Sequence, residues 1–269
     1  MSAPLLQVRE LGKSFGGVKA VDGISFDLRA GELLALIGPN GAGKTTTFNM
    51  VNGQLPAGQG SILLDGQELI GRKPRAIWRL GVGRTFQIAE TFASLTVVEN
   101  VQMALLSHDG KLFSMWRSAA GYKRGEALSL LEQVGMAPQA DRPCSELAYG
   151  DVKRVELAIA MANSPKLLLM DEPTAGMAPR ERNALMALTK QLVVDRGMAV
   201  LFTEHSMDVV FAYADRMIVL ARGRLIAQGK PLEIRDDPKV QEVYFGSGKT
   251  FEKIAQKAAV VADVTGDAS

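Results

Sequence analysis

The stretch Leu33-Leu34-Ala35-Leu36-Ile37-Gly38-Pro39-Asn40-Gly41-Ala42-Gly43-Lys44-Thr45-Thr46 decides how the chain reads. Its first five residues are continuously apolar, as in a buried strand. From Gly38 onward it fits G-x-x-x-x-G-K-[ST], the pattern of a loop that cradles phosphate. The residues after Gly43 can continue as a helix. A loop between a strand and a helix N-terminus aims backbone N–H groups into one concavity, where the helix dipole also favours negative charge. Glycines let that backbone close around phosphate oxygens because they carry no Cβ. In this pattern Lys44 reaches the β- and γ-phosphates and the Thr45 hydroxyl ligates Mg2+. Gly38, Pro39, Asn40, Gly41, Ala42, Gly43, Lys44, Thr45 and Thr46 are therefore the expected nucleotide cradle.

Outward from this loop, Leu5 to Leu11 and Val21 to Leu28 read as strands. Ala42 to about Asn52 reads as a helix ended by Gly53, and Gly60 to Gly66 as a short strand closed by an Asp-Gly turn. The texture changes after Gln87. Thr96 to Leu106 and Tyr122 to Val134 are helical in pattern, with an irregular connector or short helix pair over 107–121. Strand character returns at Lys166 to Met170, Ala199 to Thr203 and Met217 to Leu220. Leu167–Met170 and Ala199–Phe202 are apolar without alternation, the habit of parallel strands covered on both faces. Between them a helix starts near Pro179 and places Leu185, Leu188 and Leu192 on one face. An α/β core with a helical lobe inserted over about 88–162 follows from this order. The last twenty-odd residues, after Ser247-Gly248-Lys249-Thr250, read either as a frayed end or as a short amphipathic helix that docks on a partner.

Bulk properties narrow the class. The chain has 269 residues, enough for a sizeable core. Its 31 basic and 29 acidic side chains nearly cancel, so no global field argues for nucleic acid. A single cysteine, Cys144, precludes an internal disulfide framework and suits a reducing cytosol. No apolar run approaches the roughly eighteen residues of a membrane span. Met1-Ser2-Ala3-Pro4 opens no signal-peptide pattern. The expected location is cytoplasmic, with any membrane crossing left to other chains.

Chemistry is expected at three further places. Leu167–Met170 end in Asp171-Glu172, and an acidic residue at the C-terminal end of a buried strand lies beside the phosphate loop in this sheet type. Asp171 would hold Mg2+, through water, and Glu172 would orient an attacking water or else cap the following loop. Leu147-Ala148-Tyr149-Gly150-Asp151 precedes a helix with Val155, Ala158, Ile159 and Ala162 on one face. His205 follows an apolar strand and Glu204. His108, in the polar connector, reads as a surface residue.

The order phosphate loop, Gln87, glycine-bearing signature at a helix start, Asp171-Glu172 and His205 resembles the nucleotide-binding subunit of an ATP-binding-cassette transporter, over about Leu5 to Gly246. The resemblance implies a P-loop NTPase core, about 5–87 and 163–246, with an antiparallel β subdomain and an inserted α-helical subdomain at about 88–162, followed by an extension at 247–269. It implies that Phe15 stacks on adenine, that Gln87 senses Mg2+ and the γ-phosphate, and that His205 hydrogen-bonds the γ-phosphate. Lys44, Gln87, Glu172 and His205 become the expected catalytic set, and Thr45, Gln87 and Asp171 the Mg2+ set. It also implies that two subunits close head to tail, so that Ala148, Tyr149 and Gly150 face ATP held by the other chain. Phe113, Met115 and Trp116 either contact membrane subunits or pack inside the lobe.

This signature departs from the commonest form, LSGGQ: Ala148, Tyr149 and Asp151 replace serine, glycine and glutamine. The loop Ala175-Gly176-Met177-Ala178 lacks the usual terminal aspartate. Leu-Ala-Tyr-Gly, Thr-Ala-Gly-Met-Ala-Pro and Gly-Val-Gly-Arg-Thr-Phe-Gln look like the ATPase subunits of branched-chain amino-acid uptake systems. That group implies transmembrane permease subunits, a second ATPase (a heterodimer, with a homodimer as the alternative), and an external solute-binding protein acting indirectly, with the chain on the inner face of the membrane. Alternative readings are a related motor for urea or lipid, a soluble ATPase of the same superfamily acting on ribosomes or DNA, and a small-molecule kinase.

Overall fold

The computed structural model of the chain describes residues 3–85, 91–110 and 121–245. Gln87, the connector residues Phe113, Met115 and Trp116, and the extension at 247–269 lie outside them.

The elements run β1 (Leu6–Phe15), β2 (Val18–Leu28), β3 (Leu33–Ile37), α1 (Lys44–Val51), β4 (Gln59–Leu64), β5 (Gln67–Glu68), α2 (Pro74–Arg79) and β6 (Val82–Thr85). Then come α3 (Val97–His108), α4 (Arg124–Gln133), α5 (Tyr149–Ala160), β7 (Leu167–Asp171), α6 (Pro179–Arg196) and β8 (Ala199–Thr203). The series closes with α7 (Met207–Tyr213), β9 (Arg216–Ala221), β10 (Arg224–Gly229), α8 (Pro231–Arg235) and α9 (Pro238–Phe245).

Two sheets form. One is antiparallel, in the order β2-β1-β4-β5, and the other runs β10-β9-β3-β8-β7-β6. In the second sheet β3, β6, β7, β8 and β9 pair in parallel and β10 closes the edge antiparallel to β9. The parallel strands are buried on both faces, and their period of two splits them between two cores. Leu34 and Leu36 of β3, Leu167 and Leu169 of β7, and Leu201 of β8 join Leu6, Phe26, Ile62 and Phe48, so α1 and the antiparallel sheet cover that face. Leu33, Ala35 and Ile37, with Leu168, Met170, Val200 and Phe202, point to the opposite face, against the helices from α3 to α7. This double covering explains the unbroken apolar runs in the sequence.

Several boundaries differ from the sequence expectation. β1 runs on to Phe15 and β2 starts at Val18, because bulges near Leu11 and Lys13 let the pairing continue through polar residues. α1 starts at Lys44, not Ala42. The helices α2, α7, α8 and α9 and the strands β5, β6 and β10 were not read from the sequence. His108 is a correction: it is half-buried, with its ring edge-on to Trp78 at 5.3 Å between centroids. Among the described residues no helix is long and apolar enough to cross a membrane.

Candidate functional site

The turn after β3 curls against two neighbouring strands. A Cβ on Gly38 would sit 2.3 Å from the Leu220 carbonyl oxygen of β9. Gly43 has φ 102°, and a Cβ there would meet the Ala20 carbonyl oxygen of β2 at 2.5 Å. Only glycine fits either position. Gly43 is also the N-cap of α1 and supplies no side-chain cap, so the first-turn N–H groups of the helix are left for a ligand. Thr45 is exposed at this end. Lys44 folds over the loop, only 7% exposed, and its Nζ donates to the carbonyl oxygens of Gly38 (2.6 Å) and Pro39 (3.2 Å). Burial pushes the Lys44 ammonium below its usual alkaline range, while the charges of Glu172 and Asp171 push it back up; burial is the larger effect. A buried cation inside a glycine cradle, opposed by two carboxylates, fits a polyanion that arrives with its own counter-cation.

The carboxylates come from the end of β7, the strand beyond β8 from β3. Asp171 pairs with Thr203 in the last register of the β7–β8 ladder. The Thr203 hydroxyl donates to Asp171 Oδ1 (2.8 Å) and accepts from the Glu172 N–H (3.0 Å). Arg84, on β6, lies 3.5 Å from Asp171 Oδ2 and donates to Asn49 and Gln54 at 2.9 Å each. Glu172 has φ 48°, a left-handed conformation that costs a non-glycine residue about 1–3 kcal/mol. Five other described non-glycine residues share a positive φ, so strain alone does not mark the site. What distinguishes Glu172 is its contact: Oε1 lies 2.8 Å from His205 Nε2. Against an ionised carboxylate that ring nitrogen must carry the proton, since the carboxylate can only accept.

Two sequence-predicted groups stand apart from this cluster. Phe15, at the end of β1, is 49% exposed, with Lys13 Nζ 5.5 Å from its ring centroid. It is free to stack on a base. Ala148 is the N-cap of α5 and makes no side-chain cap, and both Ala148 and Tyr149 are exposed. Gly150 is buried against the first turn of α6 and the loop before it: a Cβ there would lie 3.2 Å from the Glu181 carboxyl and 3.5 Å from Met177. A Cβ on Gly176 would lie 3.8 Å from the Tyr149 ring. The signature therefore rests on the loop that follows Glu172, with its helix start facing outward. The lysine of the next turn, Lys153, is buried, ion-paired to Glu156 at 3.1 Å and set under the Tyr149 ring.

Sequence reasoning did not find Thr203, Arg84, Thr174 or Glu204. A polar residue ending an unbroken apolar strand was the available signal for Thr203. Arg84 stands in the quoted run Gly83-Arg84-Thr85 but shows its role only once β6 lies beside β7.

Comparison with known proteins gives the family. Residues 21–175 match the family described as ABC transporter, and residues 224–250 match that described as branched-chain amino acid ATP-binding cassette transporter. The high-affinity branched-chain amino acid transport ATP-binding protein LivG of Salmonella typhimurium is 40% identical over 253 residues, covering 91% of this chain and 99% of that protein. The corresponding BraF protein of Pseudomonas aeruginosa is 38% identical over 254 residues, with the same coverage of both chains. A crystal structure of an ATP-binding cassette of an ABC transporter in its ADP conformation superposes with a TM-score of 0.82 at 30% identity, covering 91% of this chain and all of that one. The chain belongs to the ABC transporter family and is one of its ATP-hydrolysing cassettes. The expected P-loop NTPase core with antiparallel β and α-helical parts is the fold observed.

Proposed function

We propose that this cassette powers uptake of branched-chain amino acids through separate membrane subunits, working in the cytoplasm against the inner face of the membrane. The observation that carries the shared-nucleotide part of this reading is the outward-facing start of α5. A phosphate-attracting helix end that faces outward suits nucleotide brought to it by another chain. Two cassettes would thus share each ATP, one through its glycine cradle, the other through Ala148, Tyr149 and Gly150. The replacement of serine by Ala148 removes one hydroxyl donor, which favours a partner cassette that is not identical.

In this reading Lys44 and the amides of the cradle hold the triphosphate and neutralise its charge. Positioning and charge account for most of phosphoryl-transfer catalysis. Phe15 stacks on the base. Thr45 and Asp171, one hydroxyl and one carboxylate, suit Mg2+, which keeps several waters and shares substrate phosphates. Among the described residues no cluster of three His, Cys, Asp or Glu competes for it. Gln87 would complete that set. Bound Mg2+ neutralises phosphate charge. Glu172 orients and deprotonates the attacking water, and His205 holds the Glu172 carboxylate and reaches toward the γ-phosphate.

Residues 88–162 act as the lobe that receives the membrane subunits. A groove of about 320 Å3 lies between it and the core, lined by Ile77, Trp78, Ala104, Ser107 and Ile159, with Arg84 at its wall. Arg84 also faces Asp171. A helix pressed into the groove would therefore act on the Mg2+ carboxylate through one side chain. The family match over 224–250 and the LivG and BraF relatives support branched-chain amino acids over urea or lipid as cargo.

The test is isolation of the chain from its own membranes, identification of the subunits that accompany it, and uptake assays in cells lacking it. Loss of leucine, isoleucine and valine uptake, restored by the wild-type chain but not by Glu172→Gln, is the expected result. Intact leucine uptake with loss of urea uptake would overturn the cargo, and purification without any membrane subunit would overturn the transport role.

A further inference from the structure

The parallel ladder between β7 and β8 ends at Asp171 opposite Thr203. Just past that point the two chain segments carry Glu172 and His205, whose side chains meet at 2.8 Å. The segments are joined there by the side chain of Glu204, which is 4% exposed. Its Oε1 accepts from the Thr174 N–H (2.9 Å) and from the Thr174 hydroxyl. Its Oε2 accepts from the N–H groups of His205 (3.0 Å) and Ser206 (3.2 Å). One carboxylate thus receives four donors, two from each side of the reaction centre. Hydrogen bonds to an ionised acceptor are roughly twice as strong as neutral ones. Thr174 is itself buried and opens the loop that backs Tyr149 and Gly150.

We infer that Glu204 is a positioning residue for hydrolysis: by clamping Thr174 to the backbone of His205 and Ser206, it sets the Glu172–His205 contact. The inference rests on the roles given above to Glu172 and His205. A neutral amide cannot replace the clamp. Glutamine has one acceptor oxygen, so its NH2 must face the donors of one segment whichever way it is turned.

The test uses the full-length chain assembled with the transporter subunits that copurify with it. Glu204→Gln is expected to lower kcat about ten- to a hundredfold, the scale of a sub-ångström to one-ångström misplacement, with KM for ATP within about twofold of wild type. In a His205→Ala background the same change is expected to cost little more, because its effect runs through the contact already lost. Thr174→Val removes one donor with little change of volume and is expected to lower kcat about two- to fivefold, again at constant KM. It decides the matter if Glu204→Gln does not fold. Full turnover in Glu204→Gln or Thr174→Val, or losses that multiply with His205→Ala, would overturn the inference. Full turnover in His205→Ala alone would instead overturn the site reading beneath it.

Discussion

Two helix N-termini, those of α1 and α5, both lack a side-chain cap and are opposite in finish. The start of α1 is walled in. Gly38 abuts the β9 backbone, Gly43 abuts β2, and Lys44 lies buried across the loop. The start of α5 is open, with Ala148 and Tyr149 exposed and no side-chain cap. The first has its cation and two nearby carboxylates in place. The second offers backbone N–H groups and a dipole, and its support comes from behind, from Glu181, Met177 and Gly176. The difference teaches that, in the function proposed above, each chain would bring one walled half-site and one open half-site, to be joined by a second chain.

The most severe break acts where the halves meet. Glu172→Gln should cut ATP turnover about 10²–10⁴-fold, the range of a lost general base, while nucleotide binding stays within error. Steady-state hydrolysis and titration with a fluorescent ATP analogue would show both; loss of binding would mean that Glu172 belongs to the cradle. Lys44→Ala attacks the closed half. Turnover should fall about 10²–10³-fold and, unlike the previous case, affinity for ATP should fall too. Gly150→Ala attacks the open half. Its methyl group would lie 3.2 Å from the Glu181 carboxyl and displace that side chain by a few tenths of an ångström behind the start of α5. Turnover of the assembled transporter should drop about tenfold, while ATP binding by the isolated chain is unchanged. Equal loss of binding in Lys44→Ala and Gly150→Ala would erase the contrast between the two termini.

The smallest effect is a pH dependence. Lys44 binds its proton less tightly folded than unfolded, because burial lowers it from 10.5. Between the lowered value and 10.5 the unfolded chain holds more protons, so stability of the nucleotide-free protein rises with pH across that window. Bound triphosphate favours the charged ammonium and should flatten the rise. Melting temperatures of wild type and Lys44→Ala on the alkaline side, up to pH 10.5, with and without ATP, would register it, with no such increment in the variant.

The same contrast governs what the sequence disclosed. The closed half is a contiguous run whose chemistry is mostly backbone, so nine adjacent residues carry it. Asp171 and Glu172 were legible because an acidic pair follows a four-residue apolar strand. Thr203, Glu204 and Arg84 were not, since their partners lie 30 or more residues away and meet only through the parallel register of β6, β7 and β8. His108 failed as a surface residue for a similar reason: Trp78, thirty positions earlier, lies against it. In the fold, the unbroken apolar strands announced the two-sided core. β1 looked too short because bulges carry its pairing through Gly12, Lys13 and Ser14.

The account is tested most directly by a structure of the ATP-bound Glu172→Gln protein in its assembled state. It predicts each nucleotide between two chains, with the Gly150 backbone N–H at hydrogen-bonding distance, about 3 Å, from a phosphate oxygen held by the neighbour's Lys44 loop. Nucleotide enclosed by a single chain, with the start of α5 turned to solvent or to an unrelated surface, would contradict it.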